Sequence, residues 1–181
     1  MLASLVVVLL LACSSPAISG EDDHHGLIHI PLYVHETLSG PNATVTPLTA
    51  SPVGANTSFG GMGVVDDELR VGRDRSSQLV GRFKGFVVDT TSRREASSSA
   101  EYLSSATLVF TAGEYSGSTL SVEGYLLGGP NKLVFERAVM GGTGKFRLAR
   151  GYSLTKTIGK TSQNTDVFLL DLFLLMHGGR Y

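Results

Sequence analysis

The chain has 181 residues, 42% of them hydrophobic and 17% charged, with 15 basic side chains against 16 acidic ones. That is one domain's worth of polypeptide, apolar enough to bury a core without staples and too apolar to be disordered. The near-neutral balance excludes the basic footprint of a nucleic-acid module, and 22 glycines alongside so little charge point to an all-β, turn-rich protein.

Residues 2–12, LASLVVVLLLA, are almost unbroken apolar, too short to span a bilayer and right for the core of a signal peptide. Ala17 and Ser19 fit the small-x-small cleavage rule, so cleavage is expected after Ser19. LLAC ending at Cys13 also resembles a bacterial lipobox, the weaker reading. Cys13 is the sole cysteine, so cleavage leaves a mature chain without thiols, held by packing alone. The expected organisation is a signal peptide over 1–19, a polar leader over 20–26 and one domain over 27–181. Two sequons, Asn42-Ala43-Thr44 and Asn56-Thr57-Ser58, add to the case for secretion.

In GLIHIPLYVHET, Ile28, Ile30, Leu32 and Val34 alternate with His29, Tyr33 and His35, the period of a half-buried strand. Segment 39–58, rich in Pro, Thr and Ser, reads as a long structureless loop. Further strands are predicted over 60–71, 79–90, 102–111, 117–126, 132–140, 145–157 and 166–176, with turns at Ser116-Gly117, Gly128-Gly129-Pro130-Asn131 and Gly141–Gly144. No helical period competes. Eight strands at short spacing predict an all-β fold, a closed antiparallel β-barrel or a sandwich. An eight-stranded barrel has room inside for one small ligand. The last strand is apolar on both faces: Val167, Leu169, Phe173 and Leu175 on one, Phe168, Leu170, Leu172, Leu174 and Met176 on the other. One of those faces points out of a barrel and calls for a partner subunit. A C-terminal membrane anchor is the poorer account of ten apolar residues that end in HGGRY.

Charges that fall in step with apolar strand faces are the candidate site. Glu36 continues the face of Ile28–Val34, Asp89 that of Leu79, Phe83 and Val87, and Arg150 stands in step with Phe146, Leu148, Tyr152 and Leu154. Buried charges need partners, so these residues form either a polar cluster that meets a ligand at a barrel mouth or structural ion pairs. Asp66 and Asp67 are adjacent, face opposite sides of a strand, and are expected in a turn or in pairs with arginines. Glycines 141, 142 and 144 lack the Lys and the following helix of a phosphate loop, and read as turn residues. His29 and His35 lie about 20 Å apart on an extended strand and share no ion. No metal cage, haem motif or flavin fingerprint is present, and no cofactor is expected.

Five blocks stand in order: YVHETLSGPNATV, FGGMGVVDDEL, VGRFKGF, FTAGEYSGSTLSVEG and MGGTGKFRLARGY. Together they cover most of residues 33–152, and through them the chain resembles the plant dirigent proteins. The resemblance implies an eight-stranded antiparallel β-barrel, secretion as a glycoprotein to the apoplast, and a homo-oligomer, a trimer or a dimer. It also implies a guiding role: stereoselective coupling of phenoxy radicals from monolignols such as coniferyl alcohol, towards lignans, with a separate laccase or peroxidase making the radicals. Some relatives instead eliminate water from a bound phenolic intermediate. The family's FHD aspartate corresponds to Glu36. Its VRE arginine aligns with Phe135, and Arg137, two residues on, keeps the same face. The aspartate that follows the GSTL strand in lignan-forming members has no counterpart in EGYLLGGPNKL. The reading is a non-oxidative guide without redox cofactor, with Glu36 as the acid and Arg150, Asp89, Tyr152, Phe135 and Arg137 around the ligand. A carbohydrate-binding or defence barrel and a lyase acting through Glu36 are the alternatives.

Overall fold

A computed structural model describes residues 26–54, 57–92, 100–127 and 134–176. The signal segment, with Cys13, Ala17 and Ser19, and the sequon residue Asn56 lie outside them. Nine strands follow in chain order: β1 (Ile28–Thr37), β2 (Val45–Thr49), β3 (Met62–Arg70), β4 (Leu79–Asp89), β5 (Glu101–Phe110), β6 (Thr119–Leu127), β7 (Val134–Thr143), β8 (Arg150–Ser162) and β9 (Thr165–Leu175). All pair antiparallel, in the order β1-β9-β8-β7-β6-β5-β4-β3, and β1 pairs back onto β3 to close an eight-stranded barrel.

The long loop expected over 39–58 is not structureless. Its residues 45–49 form β2, which lies along β3 from Met62 to Val65, while β1 takes the other end of β3, from Glu68 to Arg70. One edge of β3 thus serves two partners. Between β7 and β8 a 3-10 turn, Gly144–Phe146, replaces the continuous strand expected from residue 145.

The alternation of β1 orients the barrel. Ile30, Leu32 and Val34 are buried inside, joined by Leu69 of β3, Leu108 and Phe110 of β5, Leu120 and Val122 of β6, and Leu170, Leu172 and Leu174 of β9. Phe146 swings in from the 3-10 turn, is fully buried, and packs with ring centroids 5.2 Å from Phe110 and 4.9 Å from Tyr115. This aromatic plug shuts one end. The parity of the last strand is now decided: Leu170, Leu172 and Leu174 face inwards, and Leu169, Asp171 and Phe173 face out. On that outer face His29, Phe173 and Tyr152 stack at 4.7 and 5.0 Å, and the His29 ring meets Asp171 at 2.7 Å.

Candidate functional site

The end opposite the plug is hollow. A cavity of about 170 Å³ lies inside the barrel, walled by Val34, Val65, Phe83, Val87, Phe135 and Phe168, with Glu36, Asp67 and Arg137 as its charged members. A dry cavity of roughly 150 Å³ admits benzene, so this one takes about one aromatic ring.

Glu36 enters from β1 in step with Val34, as the alternation predicts. Burial, then the nearby charge of Asp166, push its carboxyl above the ordinary range. Asp67 enters from β3 beside it. Its neighbour Asp66 faces outwards, where burial opposes ionisation but hydrogen bonds from Lys84 and Arg82, both at 2.7 Å, prevail and hold the carboxyl low. Asp67 has the reverse balance: burial drives it up, the Thr44 hydrogen bond opposes, the charge of Glu36 adds, and it reaches about 8. The Thr44 hydroxyl accepts the Thr37 N–H at 2.8 Å and so points its own proton at Asp67 Oδ1, 2.5 Å away. The second Asp67 oxygen is left to carry a proton. Both aspartates lie within β3, so the expected turn is wrong for both; the alternative, pairing with an arginine, holds for Asp66 with Arg82 and not for Asp67. Adjacent strand residues face opposite sides, so pairing one of them outside committed the other to the interior; that signal was legible.

Arg137 enters from β7 on the same face as Phe135. Its Nε donates to Ser104 Oγ and its Nη1 to Thr155 Oγ1, both at 2.9 Å, and the guanidinium carbon lies 5.8 Å from the centroid of the Phe83 ring. Burial lowers it to about 10, which leaves it a cation at neutral pH. Among the described residues no carboxylate pairs with it. Gly124 makes room for it: a Cβ there would stand 2.8 Å from Arg137 Cγ. A buried cation bonded only to neutral hydroxyls keeps most of its field for an incoming anion or polarised oxygen.

Three other candidates fall outside. Arg150 and Tyr152 were expected to face inwards. Arg150 is exposed and bonds the Ala149 carbonyl, and Tyr152 stacks on the outer surface. The inward residues of β8 are Ser153 and Thr155; here the apolar side chains face out, Thr155 lines the cavity next to Arg137, and Ser153 is buried against the Arg137 carbonyl. Asp89 shares the face of Phe83 and Val87 but stands beyond the cavity, tying down the 57–61 segment. Burial opposes its ionisation, yet bonds from Ser58 and from the Thr91 N–H at 2.8 Å hold it below the ordinary range. Asn42 is exposed at the tip of the β1–β2 loop.

The family model described as "Dirigent-like protein" matches residues 27–175. The chain belongs to the dirigent family. Dirigent protein 1 of Arabidopsis thaliana is 37% identical over 167 residues, 87% of this chain and 86% of that one. Pterocarpan synthase 1 of Glycyrrhiza echinata is 32% identical over 180 residues, 93% of this chain and 90% of that one. Among solved structures, a pterocarpan synthase dirigent protein superimposes with TM-score 0.70 at 28% identity, covering 86% of this chain and 87% of that one. Dirigent relatives of this chain thus include proteins named as synthases.

Proposed function

We propose that this dirigent protein is a lyase-type catalyst: it seats one ring of a phenolic ligand in the cavity and expels water from the adjoining benzylic carbon. The observation that carries the reading is a pair of carboxyls whose protonated forms burial favours, in one cavity with a guanidinium that has no carboxylate partner among the described residues. Protonated Glu36 or Asp67 gives its proton to the benzylic hydroxyl. The C–O bond breaks with both electrons going to oxygen, and water leaves. The phenol oxygen gives its proton to solvent at the barrel mouth and becomes the carbonyl of a quinone methide, held by Arg137. A second phenol of the same molecule then adds to the benzylic carbon. Its proton goes to the carboxylate and restores the acid, the carbonyl oxygen takes one proton back from solvent and is a phenol again, and the balance is loss of one water. No electron is gained or lost. A cavity of about one ring suits such an intramolecular closure better than the docking of two separate radicals, and relatives named pterocarpan synthases support the reading.

The second reading, guided coupling of monolignol radicals made by a separate laccase or peroxidase, draws support from the family and from Dirigent protein 1. Secretion to the apoplast is proposed with either reading, on the apolar segment 2–12 and the exposed Asn42. Self-association is proposed through the outer face of β9.

The test uses a benzylic alcohol bearing a second phenol within closing reach, with no oxidase, and mass spectrometry to follow loss of water. Glu36→Gln should slow it by about 10²-fold or more, the usual worth of a positioned acid, with an unchanged circular dichroism spectrum. Racemic, uncatalysed loss of water together with enantiomeric excess from coniferyl alcohol plus laccase would replace the first reading with the second.

A further inference from the structure

The mouth of the barrel carries a row of charges on four neighbouring strands. Lys160 of β8 stands opposite Asp166 of β9, and Asp166 stands opposite Glu36 of β1. The β1–β3 ladder runs Val34 with Leu69 and His35 with Glu68, so its next step brings Glu36 level with Asp67. Directly opposed residues share a sheet face, with Cβ atoms about 5 Å apart. Lys160 Nζ lies 2.9 Å from Asp166 Oδ1, and the Asp166 side chain is only 23% exposed. Asp166 does not line the cavity, so it meets Glu36 and not the ligand.

We propose that Asp166, paired with Lys160, is a positioning residue for the Glu36 acid: a carboxylate directly across the ladder from Glu36 favours the proton on Glu36 when Glu36 must donate. Two carboxyls that share a site do not both ionise readily, and the better-paired one ionises first. Among the described residues, the charged groups around Glu36 come from four strands. Asp166 flanks it on β9 and Asp67 on β3, Arg137 reaches the same cavity from β7, and Lys160 acts from β8 through Asp166. On β1 itself, His35 and Thr37 point to the other face. Burial is the larger cause of the raised Glu36 carboxyl and the Asp166 charge the second. The proposal rests on the acid role given to Glu36 above.

The test is the NMR titration of Glu side-chain carboxyl carbons in full-length 13C-Glu-labelled protein, the Glu36 resonance being the one lost in Glu36→Gln. Two unit charges about 5 Å apart in partly solvated surroundings interact strongly enough to move a midpoint by about one pH unit. Asp166→Asn should lower the Glu36 midpoint by that much. Lys160→Gln should raise it by a smaller amount, because a cation leaves while the aspartate stays. Opposite signs are the signature; a pair that only braces the strands would shift both variants the same way. An unmoved midpoint in Asp166→Asn, or shifts of one sign, would overturn the proposal. If Asp166→Asn does not fold, the sign in Lys160→Gln decides alone: an upward shift supports, anything else refutes. Because the readout is a resonance and not turnover, a wild-type protein that releases no water would sink the lyase reading without touching this result.

Discussion

Replacing Asp67 by Asn should stabilise the protein in neutral and alkaline solution. The carboxyl goes from about 8 in the folded chain to an ordinary 3.8 when unfolded. A group whose folded value is raised binds more protons folded than unfolded throughout that interval. Stability is therefore whole below the unfolded value and is lost as pH rises towards the folded one. Each pH unit in the window costs about 1.4 kcal/mol, so a full window to pH 7 approaches roughly 4 kcal/mol. A buried, hydrogen-bonded site relaxes enough to leave about 2–3 kcal/mol of that. Asn keeps the geometry: its carbonyl accepts from Thr44, as Asp67 Oδ1 does at 2.5 Å, and its amide donates where the protonated acid donated. Chemical denaturation at several values between about pH 4 and pH 8 reads the difference. The two proteins should be equally stable at the acid end. At the alkaline end the wild type should fall behind by about 2–3 kcal/mol, most of its slope being absent from Asp67→Asn. If the variant retains the wild-type slope, Asp67 is ionised in the folded chain and the neutral-acid account of the cavity is wrong.

Arg137→Leu removes a buried cation that has no carboxylate partner among the described residues. It should raise the melting temperature while reducing water loss by more than about tenfold, since losing a charged hydrogen bond costs about 1.5–3 kcal/mol. Phe146→Ala opens the aromatic plug and should cost about 3–5 kcal/mol in urea unfolding, with the cavity chemistry of any protein that remains folded little changed. Leu169→Lys and Leu170→Lys separate the two faces of β9. The first should reduce the mass seen in sedimentation while the fold survives. The second places a charge where exposure is zero and should unfold the chain. An unchanged mass in Leu169→Lys would put the self-association surface elsewhere.

How far the sequence could be read depended on which strand faces were apolar. In β1 the interior takes Ile30, Leu32 and Val34, so alternation located Glu36 correctly. In β8 the interior takes Ser153 and Thr155, the second of which accepts from the Arg137 guanidinium, while Tyr152 packs outside on Phe173. The hydrophobic side of that strand is its outer side, and the usual rule placed Arg150 and Tyr152 backwards. Strand β2 escaped notice because four of its five residues are exposed and it contains Pro47, a composition that reads as loop. Arg137 was found only through its offset from the family's arginine; nothing in the local pattern distinguishes a cavity-lining cation from one at a strand end.

Thr44 does two jobs at two moments. Its hydroxyl is the third letter of the Asn42-Ala43-Thr44 tripeptide, which a glycosyltransferase would inspect on the nascent, still extended polypeptide. Once the barrel has closed, the same oxygen orients the cavity acid by giving its proton to Asp67. A Thr44→Ala change intended only to strip sugar would therefore also untie that acid, and a lost activity could be blamed on the wrong cause. Asn42→Gln erases the first job and spares the second, while Thr44→Ser keeps both. Used together, the three substitutions separate the history of the chain from its chemistry.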